Sequence, residues 1–222
     1  MKKDYCILID ALGDLTIRKG GVKPGYHEGH FIAALKCIEK EHAVGRKILS
    51  KHLGIGETSV RSLIKRLAEK NYVSIDKVAG AILTEKGIKL LEMVNKYMDI
   101  YIDEAGIPDL NWPNTIFVIL KIPPSDKVTA ISIRDKAISV NANAALIAFI
   151  VKNRIKVPGL PESNKLYKII VEKLSLICRE HCNTGACIIV YASVRDNEPL
   201  NVAGFKLGFE ILRHICWRET YC

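Results

Sequence analysis

The most constraining feature of the chain is a pair of short amphipathic segments separated by the turn Gly54-Ile55-Gly56. The first, Gly45–Leu53, predicts a helix with inward positions at Ile48, Leu49 and Leu53. The second, Glu57–Lys70, predicts a helix whose apolar stripe is Val60, Leu63, Ile64 and Leu67. Glycine accepts positive φ without a Cβ clash, so the turn can be tight while Ile55 fills the space between the helices.

A β-hairpin is predicted directly after this helix pair. Tyr72–Ile75 alternates as a strand, Asp76–Gly80 forms the tip, and Ala81–Thr84 returns. Thr84 then caps a helix expected to run from Glu85 to about Ile102, with Ile88 and Leu91 as its first core-facing positions. Two helices, a turn and a hairpin in this order are typical of a winged helix-turn-helix, whose second helix enters the DNA major groove.

Basic side chains are concentrated in the same segment. Between residues 45 and 70 there are seven lysines and arginines against two glutamates, within a chain of net charge +9. On the second helix, hydroxyl and basic side chains project away from the apolar stripe, where they would meet phosphates or base edges. The residues predicted to contact DNA are Arg46, Thr58, Arg61, Ser62, Lys65, Arg66 and, on the hairpin tip, Lys77. The alternative is that the same fold serves as a protein-interaction module.

The remainder of the chain predicts an α+β architecture, in which a mixed α/β domain follows the winged helix-turn-helix. The glycine- and proline-containing stretch Ala105–Pro113 divides the chain into residues 1–104, with an N-terminal extension, and residues 114–222. Helices are expected at Asp4–Leu12, His30–Glu41, Ser163–His181 and Leu200–Trp217. Thr115–Ile122 and Ala186–Ala192 predict buried strands, Lys127–Ile133 and Lys136–Val140 a hairpin around Arg134-Asp135, and Ala142–Lys152 either a helix or a strand.

Composition excludes several classes of protein. The chain has 222 residues, of which 49% are hydrophobic, so it can build a substantial core. No apolar run approaches the roughly 20 residues that a membrane span needs. The N-terminus lacks the pattern of a secretory signal, so a cytoplasmic protein without membrane association is expected.

Seven cysteines are present, and three of them cluster near the end of the predicted helix Ser163–His181. Cys178 and Cys182 share one helix face, and Cys187 follows a turn. The alternatives are a metal site, a disulfide, or small buried side chains. Cys216 and Cys222 would pair with this cluster or across a dimer.

No motif of an enzyme or of a cofactor-binding protein is present, so neither a catalytic residue nor a cofactor is expected. His27, His30, His42 and His52 are interpreted as surface or capping residues, and Asp135 as a turn residue. An enzyme with its site in residues 114–222 remains an alternative.

The chain also resembles a known family. Gly45-Arg46, Leu53-Gly54-Ile55-Gly56-Glu57, Val60-Arg61 and Leu83-Thr84-Glu85-Lys86-Gly87 are similar to archaeal winged helix-turn-helix regulators with a C-terminal domain of unknown function. The similarity continues through Ile133–Ile138 and Val157-Pro158-Gly159, whereas Asn141-Ala142-Asn143 departs from it where a glycine is expected. The resemblance implies a transcriptional regulator that binds double-stranded DNA as a homodimer. The C-terminal domain would dimerise or sense a small-molecule effector.

Overall fold

A computed structural model describes residues 3–17, 24–152, 154–182, 185–195 and 197–221. The N-terminal half contains five helices and a two-stranded hairpin: α1 (Asp4–Thr16), α2 (Glu28–Glu41), α3 (Arg46–Leu53), α4 (Glu57–Glu69), β1 (Val73–Asp76), β2 (Gly80–Leu83) and α5 (Glu85–Tyr97). A five-stranded sheet and three helices follow: β3 (Met98–Asp103), β4 (Thr115–Leu120), α6 (Ala130–Val140), β5 (Ala142–Val151), β6 (Arg154–Lys156), α7 (Lys165–His181), β7 (Ala186–Val194) and α8 (Leu200–Tyr221). The α+β class predicted from the sequence is confirmed.

The helix pair α3–α4 forms as the spacing predicts. The stripe Val60, Leu63, Ile64 and Leu67 is buried along α4. Gly54 ends α3 in the left-handed region at φ +66°, whereas Gly56 has a negative φ of −61°. The prediction for Ile48 was wrong, because only Leu49 and Leu53 of α3 are buried and Ile48 is 60% exposed.

The predicted hairpin is confirmed as β1 and β2, which pair antiparallel from Val73–Leu83 to Asp76–Gly80. Val44, just before α3, adds an isolated antiparallel bridge to Ala81 of β2, with both backbone N–H···O bonds formed. A Cβ on Gly80, which has φ +97°, would lie 2.4 Å from the Val44 carbonyl oxygen. Glycine at this position therefore allows β2 to approach α3.

The helix after the hairpin is shorter than the sequence predicts. Thr84 caps α5 by accepting a bond from the Gly87 N–H, as expected. The helix nevertheless ends at Tyr97 rather than near Ile102, and Ile88 is exposed while Leu91 is buried. The six residues Met98–Asp103 instead form β3, which pairs with β4 along its whole length. Pairing with a distant strand overrides the local helical pattern here.

The five-stranded sheet has the order β3-β4-β7-β5-β6, and each of these strand pairs is antiparallel. The predicted strands Thr115–Ile122 and Ala186–Ala192 are confirmed as β4 and β7. Alternate residues of β4 face two separate hydrophobic clusters, because Ile116 and Val118 pack with α8 and α6 whereas Phe117 and Ile119 pack with α7. The sequence left residues 142–152 open between a helix and a strand, and the structure shows the strand β5 over Ala142–Val151.

The hairpin predicted for residues 127–140 was wrong. Residues Ala130–Val140 form the helix α6, whose N-cap Thr129 accepts a bond from the Ser132 N–H. Ile133 and Ala137, four residues apart, are the buried positions of this helix. Asp135 is therefore an exposed helical residue and not part of a turn.

The long C-terminal helix α8 joins the two halves of the chain. It packs against α1 and α2 as well as against β3 and β4, so one hydrophobic cluster extends from α1 to α8. The Cys6–Cys216 disulfide and bonds from Lys3 and Tyr5 to Glu219 add to the contact. The division at residues 105–113 stays a prediction. Among the helices of the described residues, none is long and apolar enough to cross a membrane.

Candidate nucleic-acid interface

The outer face of α4 is open to solvent. Thr58, Arg61, Ser62 and Lys65 are all exposed, and the Ser62 hydroxyl donates to the Thr58 carbonyl oxygen at 3.2 Å. Within the part of the chain that the structure describes, Arg61 and Lys65 make no hydrogen bond or ion pair. Their charges are therefore available to an external partner.

The predicted cations Arg46 and Lys77 lie near this face although they belong to other elements. Arg46 is the first residue of α3, and Lys77 lies at the hairpin tip. A cleft of about 440 Å³ between α3, α4 and the hairpin is lined by four of the five predicted cations, Arg46, Arg61, Lys65 and Lys77. Asp76 is the one acidic residue of that lining, so the cleft is strongly basic.

The hairpin tip is held in shape by its own acidic residue. A carboxylate oxygen of Asp76 accepts bonds from the Val78 N–H at 2.8 Å and the Ala79 N–H at 2.7 Å. These bonds to the charged form lower the pKa of Asp76. Lys77 projects from a tip whose backbone is thereby ordered.

Arg66, which was also predicted to contact DNA, has internal partners. Its guanidinium donates to the Leu15 carbonyl oxygen at 2.8 Å and the Ile17 carbonyl oxygen at 3.0 Å, and it lies over the Tyr26 ring. The predicted DNA contact stays a prediction. The geometry shows that the side chain ties α4 to the end of α1.

Sequence reasoning missed several residues beside the basic face. Ser59 lines a second cleft of about 340 Å³, on the flank of α4 that also carries Thr58 and Ser62, and Tyr26 lies opposite. Ile75 and Val78 line the basic cleft and are 63% and 98% exposed. Val78 could have been identified from the sequence, because it is an apolar residue inside a predicted turn.

The C-terminal half contacts the back of this unit and leaves its outer face open. Asn201 of α8 is hydrogen-bonded to His52 of α3 at 3.0 Å, and a Cβ on Gly54 would lie 2.7 Å from the Pro199 ring. These contacts do not cover the outer face of α4, since Thr58, Arg61 and Lys65 remain exposed with the whole described chain present.

A buried polar junction lies behind the helices, and it confirms the capping role of two histidines. The His27 Nδ1 accepts from the Gly29 N–H, and the His30 Nδ1 accepts from the His27 N–H, forming a capping box at the start of α2. The His27 Nε2 is 2.7 Å from a carboxylate oxygen of Glu198, whose other oxygen accepts from the Asn141 amide at 3.2 Å. Burial is the largest cause that lowers the pKa of His30 to about 4, and the charges of His27 and Lys206 act in the same direction.

The same three side chains are close enough to be considered as a metal site. Ligand atoms of His27, His30 and Glu198 lie within 4.8 Å of one another. Both Nδ1 atoms accept backbone N–H bonds, so each neutral ring carries its proton on Nε2. Binding a metal through Nε2 would move that proton to Nδ1, which could then no longer accept the backbone N–H bond of the cap. The arrangement therefore fits a capping box better than a metal centre.

The cysteine cluster contains a disulfide between Cys182 and Cys187. The thiol of Cys178 is free, and its sulfur lies within 4.8 Å of the other two sulfurs, so the three remain candidate metal ligands in a reduced protein. Burial raises the pKa of Cys178. The predicted pairing of Cys216 was wrong, because it bonds to Cys6, and Cys222 lies outside the described residues.

Two helices, a hairpin and exposed cations occur together in this unit, and comparison with known families supports a DNA-binding domain here. Residues 32–98 match the family described as the CggR N-terminal DNA binding domain. The match includes all seven residues predicted to contact DNA. The chain is therefore a DNA-binding regulator with its DNA-binding domain in the N-terminal half.

The fold is similar to that of a hypothetical protein from Pyrococcus horikoshii OT3, at a TM-score of 0.58 and 20% sequence identity. The alignment covers 87% of this chain and 94% of that protein. A comparison with curated proteins found no significant match.

Proposed function

We propose that the chain is a transcriptional regulator that binds duplex DNA through a winged helix-turn-helix. In this proposal α4 is the recognition helix in the major groove, and the β1–β2 hairpin is the wing. The observation that carries the proposal is the single cleft lined by Arg46, Arg61, Lys65 and Lys77, which come from three different elements. Such convergence of cations matches the closely spaced phosphates of a duplex.

Each side chain has a proposed partner on DNA. Arg61 and Lys65 project from the middle of α4 toward base edges or phosphates, and Thr58 and Ser62 toward phosphate oxygens near the helix start. Arg46 and Lys77 contact the backbone on either side of the groove. Arg66 acts indirectly, by fixing α4 against α1.

The C-terminal part, residues 114–222, is proposed to dimerise the protein, to bind a small effector, or both. A homodimer would place two recognition helices about 34 Å apart, one turn of DNA. No catalytic activity is proposed for the chain.

The test is fluorescence anisotropy of labelled genomic fragments titrated with the protein at several salt concentrations. Affinity should fall steeply between about 50 and 200 mM salt. Arg61→Ala and Lys65→Ala should each weaken binding. Where the side chain contacts a base, the loss should be about 1–3 kcal/mol of binding free energy. Where it contacts a phosphate, the slope of log affinity against log salt concentration should become smaller by about one.

Matched controls remove exposed cations far from the cleft. Arg154→Ala in β6 and Lys168→Ala in α7 should leave affinity and salt slope unchanged, because both side chains are exposed in the C-terminal part. Binding that is insensitive to salt, or absent at low salt, would contradict the proposal. So would equal losses in the cleft variants and the controls.

A protein-interaction module is the second candidate, and the exposed apolar residues Ile75 and Val78, which line the cleft, favour it. Exposed apolar side chains grouped beside a cleft are typical of protein contacts. If DNA is the partner, Arg61→Ala should weaken binding far more than Val78→Ser. If the chain has no affinity for DNA, and a partner protein binds the wild type but not Val78→Ser, the protein-interaction function would be favoured.

A further inference from the structure

A third cavity lies in the C-terminal part and shares no lining residue with the basic cleft. It has a volume of about 490 Å³ and forms where α6, β5, the loop after β6 and the start of α7 meet. Its lining includes Trp112, Ile131, Leu146 and Leu160. The residues Val157-Pro158-Gly159 and Arg134, which the DNA-binding proposal leaves without a role, also line it. Cavities of this size are typical of small-molecule sites.

The walls are apolar with one charged exception. Arg134 is the single charged residue of the lining, and no acidic side chain belongs to it. Its guanidinium lies 3.3 Å from the carboxylate of its neighbour Asp135, but both side chains are more than half exposed, so this ion pair is weak. The guanidinium is therefore available to an anion at the cavity.

The cavity also borders an unfilled edge of the sheet. β5 pairs with β7 from Ala142 to Val151, whereas its pairing with β6 covers only Phe149–Val151. Within the described strands, Ala145–Ile147 have no second neighbour, and all three line the cavity. An open strand edge offers backbone N–H and C=O groups to a ligand.

We propose that this cavity binds a small molecule with an apolar body and one carboxylate. The apolar side chains enclose the body, and Arg134 pairs with the carboxylate, as guanidinium groups do in a planar, two-bonded geometry. Binding itself is independent of the DNA-binding proposal. Only its regulatory consequence rests on the proposed function.

A physical connection leads from this cavity to the DNA-binding domain. The far end of α6 is Asn141, which donates to Asn197 and Glu198, each at 3.2 Å. Glu198 in turn contacts His27, the cap of α2. A ligand that shifts α6 would thus act on the helix that supports α3 and α4.

The experiment uses the intrinsic fluorescence of Trp112, with octanoate as the probe. The chain has two tryptophans, and Trp217 is 54% exposed on α8, so Trp217→Phe leaves Trp112 as the sole reporter. Octanoate should change the Trp112 emission in a saturable way. Arg134→Gln in this background should weaken octanoate binding by about two- to fivefold, because the guanidinium is half exposed, with affinity for uncharged 1-octanol nearly unchanged.

Two further variants keep the test independent of folding. Ile131 is 63% exposed at the cavity, so a charge there should be tolerated. Ile131→Asp should weaken octanoate binding and Ile131→Lys should strengthen it. Arg154→Gln is the matched control, an exposed arginine outside the lining, and should have no effect.

Several results would overturn the proposal. One is the absence of saturable octanoate binding; another is equal weakening in Arg134→Gln and Arg154→Gln. A third is a change of oligomeric state in Arg134→Gln by analytical ultracentrifugation without a change in octanoate affinity, which would assign the face to a second copy. Octanoate binding in a protein without DNA affinity would leave this site standing and refute only the proposed function.

Discussion

At the scale of single residues, Arg61 and Arg66 of α4 differ in what they contact although they lie on the same helix. Arg61 is exposed and makes no bond within the described chain, whereas Arg66 donates to two carbonyl oxygens at the end of α1. Both are arginines in a basic, amphipathic helix, so sequence alone placed them in one contact set. The distinction depends on the position of α1.

Arg66→Ala should therefore reduce stability more than Arg61→Ala does. Loss of the bonds to Leu15 and Ile17 leaves two helix-end carbonyls without this donor and should cost about 1–3 kcal/mol of unfolding free energy. Arg61→Ala should change stability by less than about 0.5 kcal/mol. Urea unfolding followed by circular dichroism measures both, and equal stabilities would refute the structural role of Arg66.

His30 should make the protein less stable as the pH falls. Burial lowers its pKa to about 4 in the folded chain, against 6.5 for an ordinary histidine, so the unfolded chain binds more protons between these pH values. Unfolding free energy should then decrease as pH falls from about 6.5 to 4, by up to about 3 kcal/mol. Above pH 6.5 this contribution is constant.

The variant His30→Gln tests whether His30 causes this decrease in unfolding free energy at low pH. Glutamine at the third position of a capping box can still accept from the residue-27 N–H, but it does not titrate. The variant should fold at pH 7 and lose much of the decrease between pH 6.5 and 4. The decrease in unfolding free energy below about pH 4.5 should persist in this variant. It comes from Glu198, whose pKa is lowered in the folded chain and whose stabilising effect is lost as the carboxylate becomes protonated. An unchanged pH profile would show that His30 is not the source.

At the scale of elements, local sequence predicted the DNA-binding half well and the sheet-rich half only in part. α3, α4 and the hairpin follow from periodicity, glycine turns and caps, which act between residues close in sequence. The predictions for the segments that form β3 and α6 were wrong, because the secondary structure of both segments depends on partners that are distant in the sequence. Met98–Asp103 becomes a strand by pairing with β4, and α6 is fixed by packing on β5 and α8.

The hairpin and the helix that follows it are joined by the Thr84 hydroxyl. It accepts from the Gly87 N–H at 3.1 Å and donates to the Asn71 carbonyl oxygen at 2.6 Å. Thr84→Ala should lower the unfolding free energy by about 1–2 kcal/mol through loss of the cap. Thr58→Ala is the matched control, because that exposed threonine caps no helix, and its stability should equal that of the wild type.

At the scale of the whole molecule, α8 closes the structure onto its N-terminus. The Cys6–Cys216 disulfide joins residues 210 apart, whereas Cys182–Cys187 spans only five. A crosslink restricts the unfolded chain more when it closes a longer loop. The first bond should therefore contribute more to stability than the second.

The measurement compares Cys6→Ala with Cys182→Ala by denaturant unfolding under oxidising conditions. Cys6→Ala should lower the unfolding free energy by roughly 4–5 kcal/mol and Cys182→Ala by roughly 2 kcal/mol. In excess reductant the wild type loses both bonds, so its stability should fall below that of either variant measured under oxidising conditions. Wild-type stability that does not respond to reductant would show that neither bond forms in solution.

The sequence by itself determined the helix pair, the hairpin, the Thr84 cap and the basic outer face of α4, since each depends on residues within one or two turns of chain. Only the tertiary structure decided that Arg46 and Lys77 share a cleft with Arg61 and Lys65, and that Arg66 is hydrogen-bonded to the end of α1. It also decided the strand β3, the helix α6 and the Cys6–Cys216 bond. The physical reason is the sequence separation of the contacts. These features depend on contacts between segments far apart in the chain, which local periodicity does not encode.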